Sequence, residues 1–225
     1  MGEDTPDGVR AAVAAFVAGS WDPDLPLGEW WARLGPSGWA MPGWPRDWFG
    51  RGLTGELARI ARQALAGSGV AGPPAGLGVM LAAPTLLAHG DDDQRRRFLG
   101  PIVTGEVAWC QLFSEPEAGS DLAGLRCRAE RDGDEWVVTG QKVWTSGGHL
   151  ADLGMLLART DPDAPKHRGI SWFAIEMDQP GVEVRPLREM TGRALFNEVF
   201  LSDARVVHAD MIGDLNDGWR VANTT

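Results

Sequence analysis

The feature that most constrains this chain is a change of hydrophobic period near Glu106. Before it, apolar residues recur with the spacing of one helix face; after it, short runs alternate with a period of two. The two periods cannot belong to one kind of element, so the sequence predicts an all-α part followed by a β part. Residues 6–18 read as a helix with Thr5 as N-cap and Val9, Val13, Phe16 and Val17 on one face. Residues 54–66 repeat the pattern behind Thr54, with Leu57, Ile60, Ala61 and Leu65 inward. Residues 76–89 are apolar nearly all round, which predicts a buried helix bent or interrupted at Pro84. Residues 91–103 form a further helix with acids in its first turn. Between them, 35–52 is rich in Gly, Pro and Trp and reads as an ordered loop.

The β part predicts strands over 107–113, 126–131, 135–139, 141–145, 153–159, 170–176, 182–186 and 198–206, with a hairpin signal at Asp132-Gly133-Asp134. So many short strands in succession argue for a closed or nearly closed antiparallel barrel. Residues 160–169 are polar and carry proline, an exposed loop. A turn at Asn216-Asp217-Gly218 leads into what reads as the start of a helix at 219–223. The resulting architecture is an α+β multidomain chain: a helical domain over 1–106, an antiparallel β-barrel over 107–213, and the start of another element over 214–225.

Composition removes several functions. A formal net charge of -10 argues against a nucleic-acid binder, whose domain would be basic. The acidic start at 1–7 lacks the apolar core of a signal peptide, and no apolar stretch is long enough to span a bilayer. Cys110 and Cys127 fit neither a disulfide framework nor metal spacing; free thiols suit a reducing cytoplasm. No metal ligand set is predicted, and no nucleophile–histidine–acid set or Walker loop appears. Eleven tryptophans without a tyrosine are unusual; Trp30, Trp31, Trp39, Trp44 and Trp48 crowd the first fifty residues, where packing is their default role.

Two segments carry chemistry. One runs Trp109-Cys110-Gln111-Leu112-Phe113-Ser114-Glu115-Pro116-Glu117-Ala118-Gly119-Ser120-Asp121; the other is Lys142-Val143-Trp144-Thr145-Ser146-Gly147-Gly148. Together they offer N–H donors, hydroxyls and one flat aromatic face, which suits a planar ring with a polar edge. A flavin is such a ring, and donors fixed near N1, O2 and N5 stabilise the charge it gains on reduction.

In these two segments, in their order and in their separation, the chain resembles the acyl-CoA dehydrogenase family, and the resemblance covers nearly the whole chain. It implies FAD as cofactor and an acyl-CoA thioester as substrate. It places Gln111, Leu112, Phe113 and Ser114 along the flavin, with Gly119 and Ser120 toward its phosphate side and Ser120 also toward the acyl-CoA. Trp144 would pack against the flavin, with Thr145 and Ser146 bringing donors to it. Glu115 and Asp121 are structural on this reading, Asp121 capping the turn that follows. The loop around Arg188 and Glu189 is a solvated, salt-bridged loop or lies near the substrate entrance. His149, His167 and His208 are surface or supporting residues.

The family's proton-abstracting glutamate belongs to a C-terminal helical domain, and this chain stops before it. No residue is therefore assigned as catalytic. Three readings stay open: a truncated acyl-CoA dehydrogenase, inactive alone; a non-catalytic subunit completed by a partner chain; or another flavoenzyme on this fold, such as an acyl-CoA oxidase or flavin monooxygenase. The resemblance also implies a flavoprotein-type electron acceptor and a homo- or hetero-oligomer when complete.

Overall fold

The structure, a computed structural model, describes residues 5–225; most of the acidic start at 1–7 lies outside them. Contacts divide the chain into two units: residues 1–75 with 95–106, and 76–94 with 107–225.

The first unit is helical. Helix α1 (Pro6–Ser20) starts as predicted, Thr5 accepting a hydrogen bond from Gly8 N at 3.1 Å with proline at the helix start. Helix α3 (Gly55–Gly67) also starts where expected, yet Thr54 makes no capping bond through its side chain. Helix α2 (Leu27–Ser37) has no counterpart in the sequence reading: Gly35 and Pro36 lie in its last turn and mask its period. These helices share a core in which Val9, Val13, Trp30, Leu34, Ile60, Ala61 and Leu65 are buried. Of the five tryptophans named above, Trp30 and Trp39 are buried as predicted and Trp31 packs partly buried against the same core, while Trp44 and Trp48 are half-buried. Trp30 is fully buried against Phe16 and Trp21, and its indole N–H donates to Ala71 O at 2.7 Å. The 38–53 loop is ordered by close approach: a Cβ on Gly50 would stand 2.0 Å from Trp44 O. Helix α5 (Asp92–Val103) contributes Leu99, Ile102 and Val103, all buried.

The second unit carries the sheet. Its first helical segment opens as a π-helix, Gly78–Ala82, followed by α4 (Ala83–His89). The break falls just ahead of Pro84, whose ring would clash with the carbonyl four residues back in a regular α-turn. His89 ends α4, as read from the sequence. The strands are β1 (Trp109–Leu112), β2 (Arg128–Asp132), β3 (Glu135–Ser146), β4 (Leu153–Arg159), β5 (Ile170–Glu176), β6 (Val182–Leu187), β7 (Phe196–Val207) and β8 (Met211–Ile212). The two strands predicted at 135–139 and 141–145 are one, β3, irregular in its pairing between Val138 and Gly140 and again between Lys142 and Thr145.

The pairing order is β6-β7-β3-β2-β4-β5-β8, with β1 added beside β4. Most pairs are antiparallel; β1–β4, and β2–β4 at Arg128 and Arg159, are parallel. Among the described residues no pairing joins β6 to β8, so the hydrogen-bonded path stays open. The sheet nevertheless wraps one core. Trp136 on β3 lies 5.6 Å, centroid to centroid, from Phe173 on β5, although β2 and β4 stand between those strands in the pairing order. Leu112, Val138, Leu156, Phe173, Ile175 and Val199 share that core, all fully buried. The chain ends in α6 (Gly218–Ala222). No described helix is long and apolar enough to cross a membrane, and no described group of three or more His, Cys, Asp or Glu could hold a metal.

Candidate flavin-facing site

The two motif segments, twenty residues apart in sequence, are adjacent in space. The chain leaves β1 at Leu112 and turns at Glu115, where Glu115 N and Ala118 N each donate to the other residue's carbonyl at 3.1 Å. Val143 N then donates to Ser114 O at 2.9 Å, tying the first segment to β3.

A buried ion pair locks this junction. Lys142 is fully buried and its Nζ donates to Glu115 Oε1 at 2.8 Å and to Phe113 O at 3.1 Å. Glu115, 8% exposed, uses both oxygens further: Oε2 accepts from Arg126 N at 2.7 Å and Oε1 from Cys127 N at 2.9 Å. A carboxylate buried beside one ammonium and two amide N–H groups is hydrogen-bonded to the extent that burial requires. Glu115 is thus structural, as predicted. Lys142 is a structural partner that the motif contained but the reading left without a role.

Beyond Lys142 the strand departs from regular pairing. The register with β7 slips between Lys142 and Thr145, and Trp144 adopts φ +61°. Strict alternation would bury Trp144 with Lys142; the irregularity instead buries Lys142 and Thr145 and turns Trp144 out, 63% exposed. A left-handed non-glycine residue costs about 1–2 kcal/mol, and such strain concentrates at functional positions. Only Phe196 meets the indole among the described rings, edge-on at 5.9 Å and 84°. Its face is left open.

The other predicted residues differ in exposure. Ser146 and, on the first segment, Gly119 and Ser120 are exposed; Gln111 and Ser114 are half-buried. Leu112 and Phe113 turn their side chains into buried positions, which leaves only their backbone for a ligand. Thr145 is 1% exposed, and its hydroxyl has no hydrogen-bond partner among the described residues. An unspent buried hydroxyl beneath an exposed indole fits a polar-edged planar ring.

Asp121 differs from expectation. It precedes the short turn Leu122–Gly124 but makes no capping bond; its carboxylate pairs with Lys166 instead. The long cationic arm reaching from the 160–169 loop outcompetes the local turn for the carboxylate. Lys166 borders a cavity of about 880 Å³ that Arg126, Arg128, Arg131 and Arg159 also line, with Glu130 the one acid. Four of these five cations are ion-paired: Arg126 with Glu117, Arg128 with Glu130, Arg131 with Asp134 and Lys166 with Asp121.

The two thiols are buried. Burial pushes Cys110 up to about 12 and raises Cys127 as well; the nearby Lys142 acts against that rise and Glu115 with it. Both are protonated at neutral pH and take no part in the site.

Residues 5–106 match the profile for the acyl-CoA dehydrogenase N-terminal domain, and residues 110–204 that for the acyl-CoA dehydrogenase middle domain. This chain belongs to the acyl-CoA dehydrogenase family. It is 49% identical over 218 residues to acyl-CoA dehydrogenase FadE34 of Mycobacterium tuberculosis, a match covering 97% of this chain and 30% of that protein. Acyl-CoA dehydrogenase IpdE1 of the same organism is 44% identical, over 87% of this chain and 51% of its own. Two solved family members share the fold: the Tcur3481-Tcur3483 steroid acyl-CoA dehydrogenase G363A variant (TM-score 0.75, 31% identity) and the ChsE4-ChsE5 complex of Mycobacterium tuberculosis (TM-score 0.73, 34% identity). Each match covers 97% of this chain, and 60% and 58% of those chains respectively. The chain thus spans between about a third and three fifths of the relatives it matches.

Proposed function

We propose that these residues form the flavin-facing and thioester-facing half of an FAD-dependent acyl-CoA dehydrogenase. The observation that carries the reading is the outward, strained Trp144, held over a locked junction of the two motif segments. FAD would supply the two-electron acceptor for the hydride leaving the acyl chain. Trp144 offers its open face to the ring without adding charge. Backbone of 111–114, with Ser114, Thr145 and Ser146, offers donors and acceptors to the ring edge. Gly119 and Ser120 approach the phosphates and the thioester.

No residue here is assigned as the base. Each carboxylate around the site is engaged: Glu115 by Lys142, Glu117 by Arg126, Asp121 by Lys166, Glu198 by Gln141, and Glu189 by Thr191 and the Leu195 N–H. The base, and a flavoprotein-type acceptor for the electrons, come from outside residues 5–225 on this reading. A second chain is one source. Two of the solved relatives, Tcur3481-Tcur3483 and ChsE4-ChsE5, carry two-component names, which favours a subunit completed by a partner as the alternative. The test is to titrate the purified chain with FAD and follow the visible spectrum with wild-type protein and with Trp144→Ala. Loss or a spectral shift on substitution supports the site; identical binding by both would sink it.

A further inference from the structure

We propose that His149 is a ligand-contacting residue of this site, presenting the Nε2 of its Nδ1–H tautomer as hydrogen-bond acceptor to a donor group of the bound flavin. The proposal rests on the flavin reading above and extends it to a residue outside both motif roles. The argument starts from Asn197 on β7, which is fully buried. Its side-chain nitrogen stands 2.9 Å from Thr145 O. A carbonyl oxygen only accepts, so the amide nitrogen must face it and the amide oxygen must face the other way. That oxygen, Oδ1, lies 3.2 Å from His149 Nδ1. An amide oxygen also only accepts, so Nδ1 carries the hydrogen and the neutral ring keeps its lone pair on Nε2. A buried asparagine with both ends committed therefore sets the tautomer of an exposed imidazole.

The backbone places that imidazole beside the Trp144 bulge. Gly147 takes φ +64° and donates its N–H to Leu195 O at 3.1 Å. A Cβ on Gly148 would stand 3.0 Å from Thr145 Cγ2, so glycine lets the turn Gly148–Leu150 fold back over Thr145. Asn197 thus binds both the carbonyl of the residue following Trp144 and His149. The same cluster holds the Thr145 hydroxyl, buried and without a partner among the described residues, a second polar group with unused capacity.

The chemistry follows from the tautomer. A neutral Nε2 accepts a hydrogen bond and cannot donate one. Among flavin groups it therefore addresses the ring N–H of the pyrimidine edge or a ribityl hydroxyl.

Diethyl pyrocarbonate, which acylates unprotonated imidazole nitrogens, tests this directly on the whole 225-residue chain, with peptide mass mapping of the four histidines. His149 should label readily in the free protein and be protected once FAD binds, while labelling of His89, His167 and His208 stays unchanged. Lumiflavin, which lacks the ribityl chain, separates the sources: protection by both ligands assigns the ring N–H, and protection by FAD alone assigns a ribityl hydroxyl. His149→Gln should weaken FAD binding about three- to tenfold, as one lost hydrogen bond does, with its melting temperature checking that the fold is kept. FAD that binds by its visible spectrum yet leaves His149 fully reactive, with unchanged affinity in His149→Gln, overturns the assignment and leaves the flavin reading standing. No spectral sign of FAD binding in the wild type overturns both.

Discussion

At the scale of residues, Trp144 and Lys142 hold opposite positions on one strand. Trp144 carries backbone strain and contributes little burial, so Trp144→Gly should leave the melting temperature unchanged or higher while flavin retention falls. A lower melting temperature would mean that the indole packs more than its exposure indicates. Lys142 is the reverse. Lys142→Met strands the Glu115 carboxylate in a buried site, and removing one partner of a buried pair costs about 3–5 kcal/mol. Urea unfolding of Lys142→Met, Glu115→Gln and the double variant should show a double loss well below the sum of the singles. Additive losses would show that the pair is not coupled. The thiols give a pH dependence. Their folded pKa lies above the ordinary value near 9, so the unfolded chain ionises first as pH rises. Their stability contribution is therefore complete below pH 9 and declines above it, by about 1.4 kcal/mol per pH unit per thiol until the folded pKa is reached. Replacing Cys110 by Ala should flatten that alkaline decline in a denaturation series.

At the scale of elements, Thr5 and Thr54 are equivalent in sequence: each precedes a helix with an acid in its first turn. Only Thr5 makes its side-chain bond, to Gly8 N. Thr5→Ala should cost about 1 kcal/mol and Thr54→Ala a few tenths at most, measured by thermal unfolding. Equal losses would contradict the cap geometry. The π-turn at Gly78–Ala82 shows the same limit of local reading. Pro84 announced an interruption, but whether the chain bends, breaks or widens depends on what packs around it. Helix α2 was invisible for a related reason: its buried face is Trp30 and Leu34, two residues whose partners come from α1, α3 and the 70–71 segment.

At the scale of the whole molecule, the carboxylates near the motifs are all engaged, and general-base catalysis contributes on the order of a hundred- to ten-thousand-fold. These 225 residues alone, given excess FAD, an artificial electron acceptor and a panel of acyl-CoAs that includes bulky steroid side chains, should therefore not bleach the flavin at a normal rate. Normal turnover would reveal a base within them. Trp144, Leu150 and Leu195, exposed around one turn, should also make the isolated chain self-associate, read by light scattering against concentration.

What the sequence determined by itself was the order of the parts and the family. The period change placed helices before strands, and the two motifs named Ser114, Gly119, Ser120, Trp144, Thr145 and Ser146, because small residues, hydroxyls and an indole carry their chemistry wherever they are placed. Tertiary structure decided how those groups are held. The slip of register that turns Trp144 outward depends on the partner strand β7, fifty residues later in the chain. The pairing of Asp121 with Lys166 and the grip of Asn197 on Thr145 and His149 join residues more than forty positions apart. Such contacts follow from which strands lie side by side, and no local period, cap or turn signal encodes that choice.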